Sequence, residues 1–129
     1  MQIKQIFVLI ILPVFFIQCN SKQQKPQDDR IQKIKFDLSK LNEDGLYGPP
    51  DGLQPLHYEF CIPGQESLMD ELRAIDPSLE IGLSSSGRVG CSKSEFLCLG
   101  NTHQRNHLEI LLKLANLPYI KSIEQSYFE

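Results

Sequence analysis

Gly87-Arg88-Val89-Gly90-Cys91-Ser92-Lys93-Ser94-Glu95-Phe96-Leu97-Cys98-Leu99-Gly100-Asn101-Thr102-His103 is the stretch on which the fold turns. It holds two of the four cysteines, a hairpin and the approach to the most apolar helix. Its centre, around Phe96 to Leu99, predicts a short strand. Asn101 or Thr102 is positioned to cap the helix that follows by accepting its free backbone N–H groups. That helix carries Leu108, Leu111, Leu112 and Ala115, with Ile110 and Leu114 widening its apolar face, and Asn116 and Pro118 end it.

Working outward, Leu79, Ile81 and Leu83 alternate and predict a strand that runs into Ser84-Ser85-Ser86-Gly87. Residues 65–75 predict a helix: Leu68, Leu72 and Ile75 form one stripe, and Pro77 stops it. Leu56, Tyr58, Phe60 and Ile62 alternate with His57, Glu59 and Cys61 up to Pro63-Gly64, which marks a strand with two unlike faces. Residues 120–128 predict a last strand. The order strand, helix, strand, strand, helix, strand implies an α+β, ferredoxin-like βαββαβ sandwich, a four-stranded antiparallel sheet with both helices on one face. Its first and third strands are then neighbours. If Leu97 and Leu99 face the helices, then Phe96 and Cys98 share the bare face with His57, Glu59 and Cys61.

The N-terminus carries a different message. Lys4 precedes an apolar run from Ile6 to Ile17 that contains Pro13, and Gln18-Cys19 follow. A positive start with a run of this length is an export signal, too short for a membrane-spanning helix. Phe16-Ile17-Gln18-Cys19 resembles the cleavage box of bacterial lipoproteins, although Gln18 stands where that family has a small residue. The resemblance implies removal of residues 1–18, lipidation of Cys19 and attachment to a membrane at the cell envelope, facing the periplasm or the cell exterior. Several acyl chains anchor firmly where one is marginal. Residues 20–30 are almost wholly polar, as a tether should be. We therefore divide the chain into a signal (1–18), a lipidated cysteine with tether and Gly/Pro-rich lead-in (19–53), and one domain (54–129). Residues 31–41 are expected to be a short peripheral element. With 16 acidic against 13 basic residues and no basic stripe, nucleic acid is excluded as a partner class.

In an exported domain, Cys61, Cys91 and Cys98 imply one disulfide and one remaining thiol, and all three pairings stay open. A sharper alternative makes His57, Cys61 and Cys98 a soft metal site, or one cysteine a reactive thiolate. No Cys-x-x-Cys supports it, so the expectation is a structural disulfide and no cofactor. His103 and His107, four apart, offer a second weak metal pair on one helical face. Asp70, Glu71 and Asp76 fit the wet side of the first helix. Ser84-Ser85-Ser86-Gly87-Arg88 matches neither a phosphate loop nor a nucleophile elbow, so no catalytic set emerges.

Two classes of function remain. The first is a tethered, non-catalytic binding module that offers His57, Glu59, Phe96 and Cys98 on its bare sheet face to an envelope protein or small ligand. The second is a thiol- or metal-dependent protein using Cys61, Cys98 and His57. A variant of the first comes from Leu114-Ala115-Asn116-Leu117-Pro118-Tyr119-Ile120-Lys121-Ser122-Ile123-Glu124-Gln125, which is similar to the end of subtilisin-propeptide inhibitor domains. That resemblance implies a C-terminal tail that enters a protease cleft.

Overall fold

A computed structural model describes residues 28–127 together with Ile10, Leu12 and Pro13. Cys19, the rest of the expected signal and the tether as far as residue 27 lie outside the described residues. No helix among the described residues is long and apolar enough to cross a membrane.

In chain order the elements are α1 (Asp29–Lys33), a 3-10 turn (Leu38–Lys40), β1 (Leu46–Tyr47), β2 (Gln54–Pro55), β3 (His57–Pro63), α2 (Ser67–Ile75), β4 (Glu80–Leu83), β5 (Glu95–Asn101), α3 (His107–Asn116) and β6 (Glu124–Ser126). The architecture is mixed α+β. β1 and β2 form a small antiparallel ribbon, and the main sheet is antiparallel in the order β4-β5-β3-β6. α2 buries Leu72, and α3 buries Ile110, Leu111, Leu114 and Ala115, in one cluster with Tyr58, Phe60 and Ile62 of β3. Each large side chain buried this way contributes roughly 1.5–3 kcal/mol. Leu108, expected on the buried stripe, is exposed instead.

The pairing of β3 with β5 corrects the expected phase of β5. Opposed residues in an antiparallel pair share a face. Tyr58 lies opposite Gly100, Phe60 opposite Cys98 and Ile62 opposite Phe96, so Phe96 and Cys98 belong to the helix side. Leu97 and Leu99 share the other face with Cys61 and Glu59. Alternation could not show this because β5 is an inner strand with apolar residues on both faces. Gly100 is required by the packing: a Cβ there would come within 2.7–2.8 Å of the Tyr58 ring and hydroxyl.

The lead-in is also part of the body. Ile34 is buried in the main core and bridges Ile123 in parallel, with Lys35 N–H donating to the Ile123 carbonyl at 2.9 Å. Phe36 stacks on Tyr58 with ring centroids 6.4 Å apart. Thr102, expected as a helix cap, is fully buried and stitches the lead-in down. Its hydroxyl donates to the Gly45 carbonyl at 2.5 Å and accepts the Leu56 N–H at 3.0 Å. α3 therefore begins only at His107, with no side-chain cap at Asn106. The lead-in from Ile34 thus packs on the body that was expected to begin at residue 54, because the sheet and α3 leave apolar surface that Ile34 and Phe36 cover.

Candidate functional site

The sheet face expected to be bare is crossed by a strap, residues 84–94, that joins β4 to β5. A register shift between Ile81 and Leu83 ends β4, where Gly82 takes φ +86°. Gly87, at φ +61°, lies on Leu97 and Glu59; a Cβ on it would sit 2.8 Å from Leu97 Cδ1 and 3.1 Å from Glu59 Oε1. Val89 N–H donates to Glu59 Oε1 at 2.7 Å, and the Arg88 guanidinium stands 5.2 Å from the centre of the Tyr127 ring. Cys91 N–H closes the loop onto the Ser86 carbonyl at 2.7 Å, and Cys91 is bonded to Cys61 of β3. Glu95 then receives the Ser92 N–H at 2.9 Å, a bond that holds its carboxyl below the usual range. The strap thus touches β5, β3 and the end of β6.

This placement separates the residues nominated from sequence. Glu59 and Cys61 face the strap, and Glu59 is only 3% exposed. His57 is half-buried beside Asn101 and borders a small cleft with Ser78 and Glu80. Phe96 and Cys98 are on the opposite side of the sheet, so the four do not form one binding face. The same register does not bring together the residues of the metal and thiolate readings. The Cys61 sulfur is consumed by Cys91, and the Cys98 thiol is buried in the core beneath the helices. Burial pushes the Cys98 thiol up to about 12, with Arg73 pulling weakly the other way. Among the described residues, no group of three or more His, Cys, Asp or Glu side chains could hold a metal. His103 precedes α3, and the His107 ring is 3.1 Å from the Gln104 carbonyl, so these two do not share a helical face.

Of the three pairings left open, the structure forms Cys61–Cys91, with Cα atoms 5.4 Å apart and a sequence separation of 30. Closing a loop of that length restricts the unfolded chain by about 3.6 kcal/mol in the chain-entropy account.

Two features went unseen in the sequence. The first is Asp76, expected to be wet and in fact fully buried. Its carboxylate accepts from the Tyr58 hydroxyl, from Ser78 N–H (2.9 Å) and Oγ (2.7 Å), and from Gln104 Nε2 (3.0 Å). Burial, with the Asp76 carboxylate beside it, drives the Tyr58 phenol well above its usual range. The Asp-x-Ser spacing just after a helix was the available signal, since Asp bonds its own backbone two residues on.

The second is a groove beside β6. Ile123 N–H donates to the Lys33 carbonyl at 2.8 Å, and its carbonyl accepts from Lys35 N–H, so residues 33–35 lie along the outer edge of the sheet. Strand alternation directs the N–H and C=O of Gln125 to that same edge. The chain turns away at Phe36, and a groove of about 590 Å³ opens there, walled by Phe36, Tyr47, Leu56 and Tyr127 with Lys40 and Glu124 at its margins.

No family model, no curated protein and no solved structure matches this chain. Its chemistry has to be read from its own geometry.

Proposed function

We propose that this chain is an extracytoplasmic lipoprotein, anchored through Cys19, whose folded part is a ferredoxin-like binding module without catalytic activity. The strand order β4-β5-β3-β6, antiparallel throughout, supports the ferredoxin-like reading. The Cys61–Cys91 bond supports an oxidising compartment, and so supports export. The polar stretch between Cys19 and α1 suits a domain that searches for its partner close to a membrane.

The observation that carries the binding assignment is the edge of β6 where residues 33–35 leave it. An extended peptide would continue the pairing that the chain's own segment begins at Ile123. It would bond to Gln125 and rest its side chains on Phe36, Tyr47 and Tyr127. Main-chain bonds supply affinity in this mode, and the aromatic walls select side chains.

Two measurements test the reading. Labelled palmitate should mark the protein in cells, and Cys19→Ser should abolish the label; label that survives the substitution rejects the anchor. Peptides selected from a random library on the purified domain should shift the NMR amide signals of Gln125 and Tyr127. Peptides that bind while leaving those signals in place reject the groove.

A further inference from the structure

We propose that the Cys61–Cys91 disulfide is a redox latch: reduction by a dithiol releases the strap of residues 84–94 from the sheet while the rest of the domain stays folded. This goes beyond the lipoprotein reading and depends on neither the anchor nor the groove.

Three observations carry it. First, the strap lies outside the core: the main apolar cluster draws on β3, β5, the helices and the lead-in, and includes no residue of 84–94. Besides the disulfide, the contacts that hold the strap include the Val89–Glu59 hydrogen bond, the stacking of Arg88 on Tyr127, the seat of Gly87 on Leu97 and, at its end, the Gly64 N–H that donates to the Ser94 carbonyl at 2.9 Å. Secondly, the bond can be reached from the Cys61 side, Cys91 itself being buried. Cys61 is half-buried and lines an open cavity of about 170 Å³ together with Val89, Gly90, Glu95 and Lys121. Thirdly, the remaining thiol cannot interfere. Cys98 is buried on the far side of the sheet from Cys61, so reshuffling does not compete with simple reduction and reoxidation.

The step balances as ordinary thiol–disulfide exchange. One thiolate of the dithiol attacks Cys61 Sγ, a mixed disulfide forms, and Cys91 departs as a thiolate that takes up a proton. The second thiol of the reductant then attacks its own partner sulfur and expels Cys61. Two electrons pass to the protein, and the reductant closes into a cyclic disulfide. The freed strap uncovers Leu97 and the Glu59 carboxylate, and Arg88 leaves the Tyr127 ring.

The test uses the full chain with dithiothreitol as the reductant and brief trypsin digestion as the probe. Cleavage after Arg88 and Lys93 should rise at least tenfold on reduction and fall back on reoxidation. Near-UV circular dichroism should stay that of a folded chain, and the amides of Phe60 and Ile110 should remain protected from exchange. The double variant Cys61→Ser/Cys91→Ser should show the same cleavage without reductant. Two results overturn the latch: unchanged cleavage after thiol counting confirms complete reduction, or loss of core protection on reduction, which would make the bond a staple for the whole fold. If the double variant fails to fold, reduced wild-type protein decides the matter by the same two criteria.

Discussion

Replacing Asp76 with Ala is the most discriminating perturbation of this fold. On the exposed end of a helix the change would cost no more than about 0.5 kcal/mol. In the structure it strips an acceptor from Tyr58, Ser78 and Gln104 at once. The half-buried donors of Ser78 and Gln104 can turn to water. The Tyr58 hydroxyl cannot, because its residue is 1% exposed and its ring lies against Gly100. A stranded buried donor costs roughly 1–3 kcal/mol, and the lost charge-assisted bonds add to this. Relief of the buried carboxylate's desolvation offsets part of the sum. The net expectation is about 3 kcal/mol, or a fall in Tm of roughly 12–24 °C for a domain of this size. Urea unfolding of Asp76→Ala, with Asp70→Ala as the exposed control, measures it. Adding Tyr58→Phe to the Asp76 variant should recover about 1 kcal/mol, since the stranded hydroxyl is then gone. A loss under about 0.5 kcal/mol, or no recovery in the double variant, would refute the buried hub.

Other outcomes follow from the same packing. Gly45→Ala should destabilise by at least ~2 kcal/mol, because φ is +74° and the new Cβ would fall 1.7 Å from the Thr102 carbonyl oxygen; a urea midpoint equal to wild type would mean that the lead-in is not part of the domain. Cys98 should resist iodoacetamide in the folded chain and react once urea unfolds it; stoichiometric labelling under native conditions would contradict its place in the core. Alkaline pH should unfold the protein. The Cys98 thiol and Tyr58 phenol are both held protonated in the folded state, with ordinary values of 9.0 and 10.0. Their contribution is complete below those values and is lost as pH rises through the folded-state values, with Cys98 alone costing roughly 3 kcal/mol by about pH 11. A urea midpoint unchanged between about pH 8 and pH 11 would count against both placements.

Local order was largely legible in the chain. Tyr58, Phe60 and Ile62 alternate because β3 has one deeply buried face, and the stripe through Leu72 ends where Pro77 forbids further helix. The proposed N-terminal signal rests on length and charge alone, which need no tertiary context. Three things were settled only by packing. The phase of β5 was hidden because Leu97 is covered by the strap and Cys98 by the helices, which erases the polar–apolar contrast that alternation depends on. The cysteine pairing was hidden because entropy favours no one of three loops decisively; what chose Cys91 was the route of the strap, which brings it over Cys61 while Cys98 points to the other side. The role of Asp76 was hidden because its partners Tyr58 and Gln104 lie 18 and 28 residues away, and a one-dimensional pattern carries no record of which distant donors a carboxylate will meet.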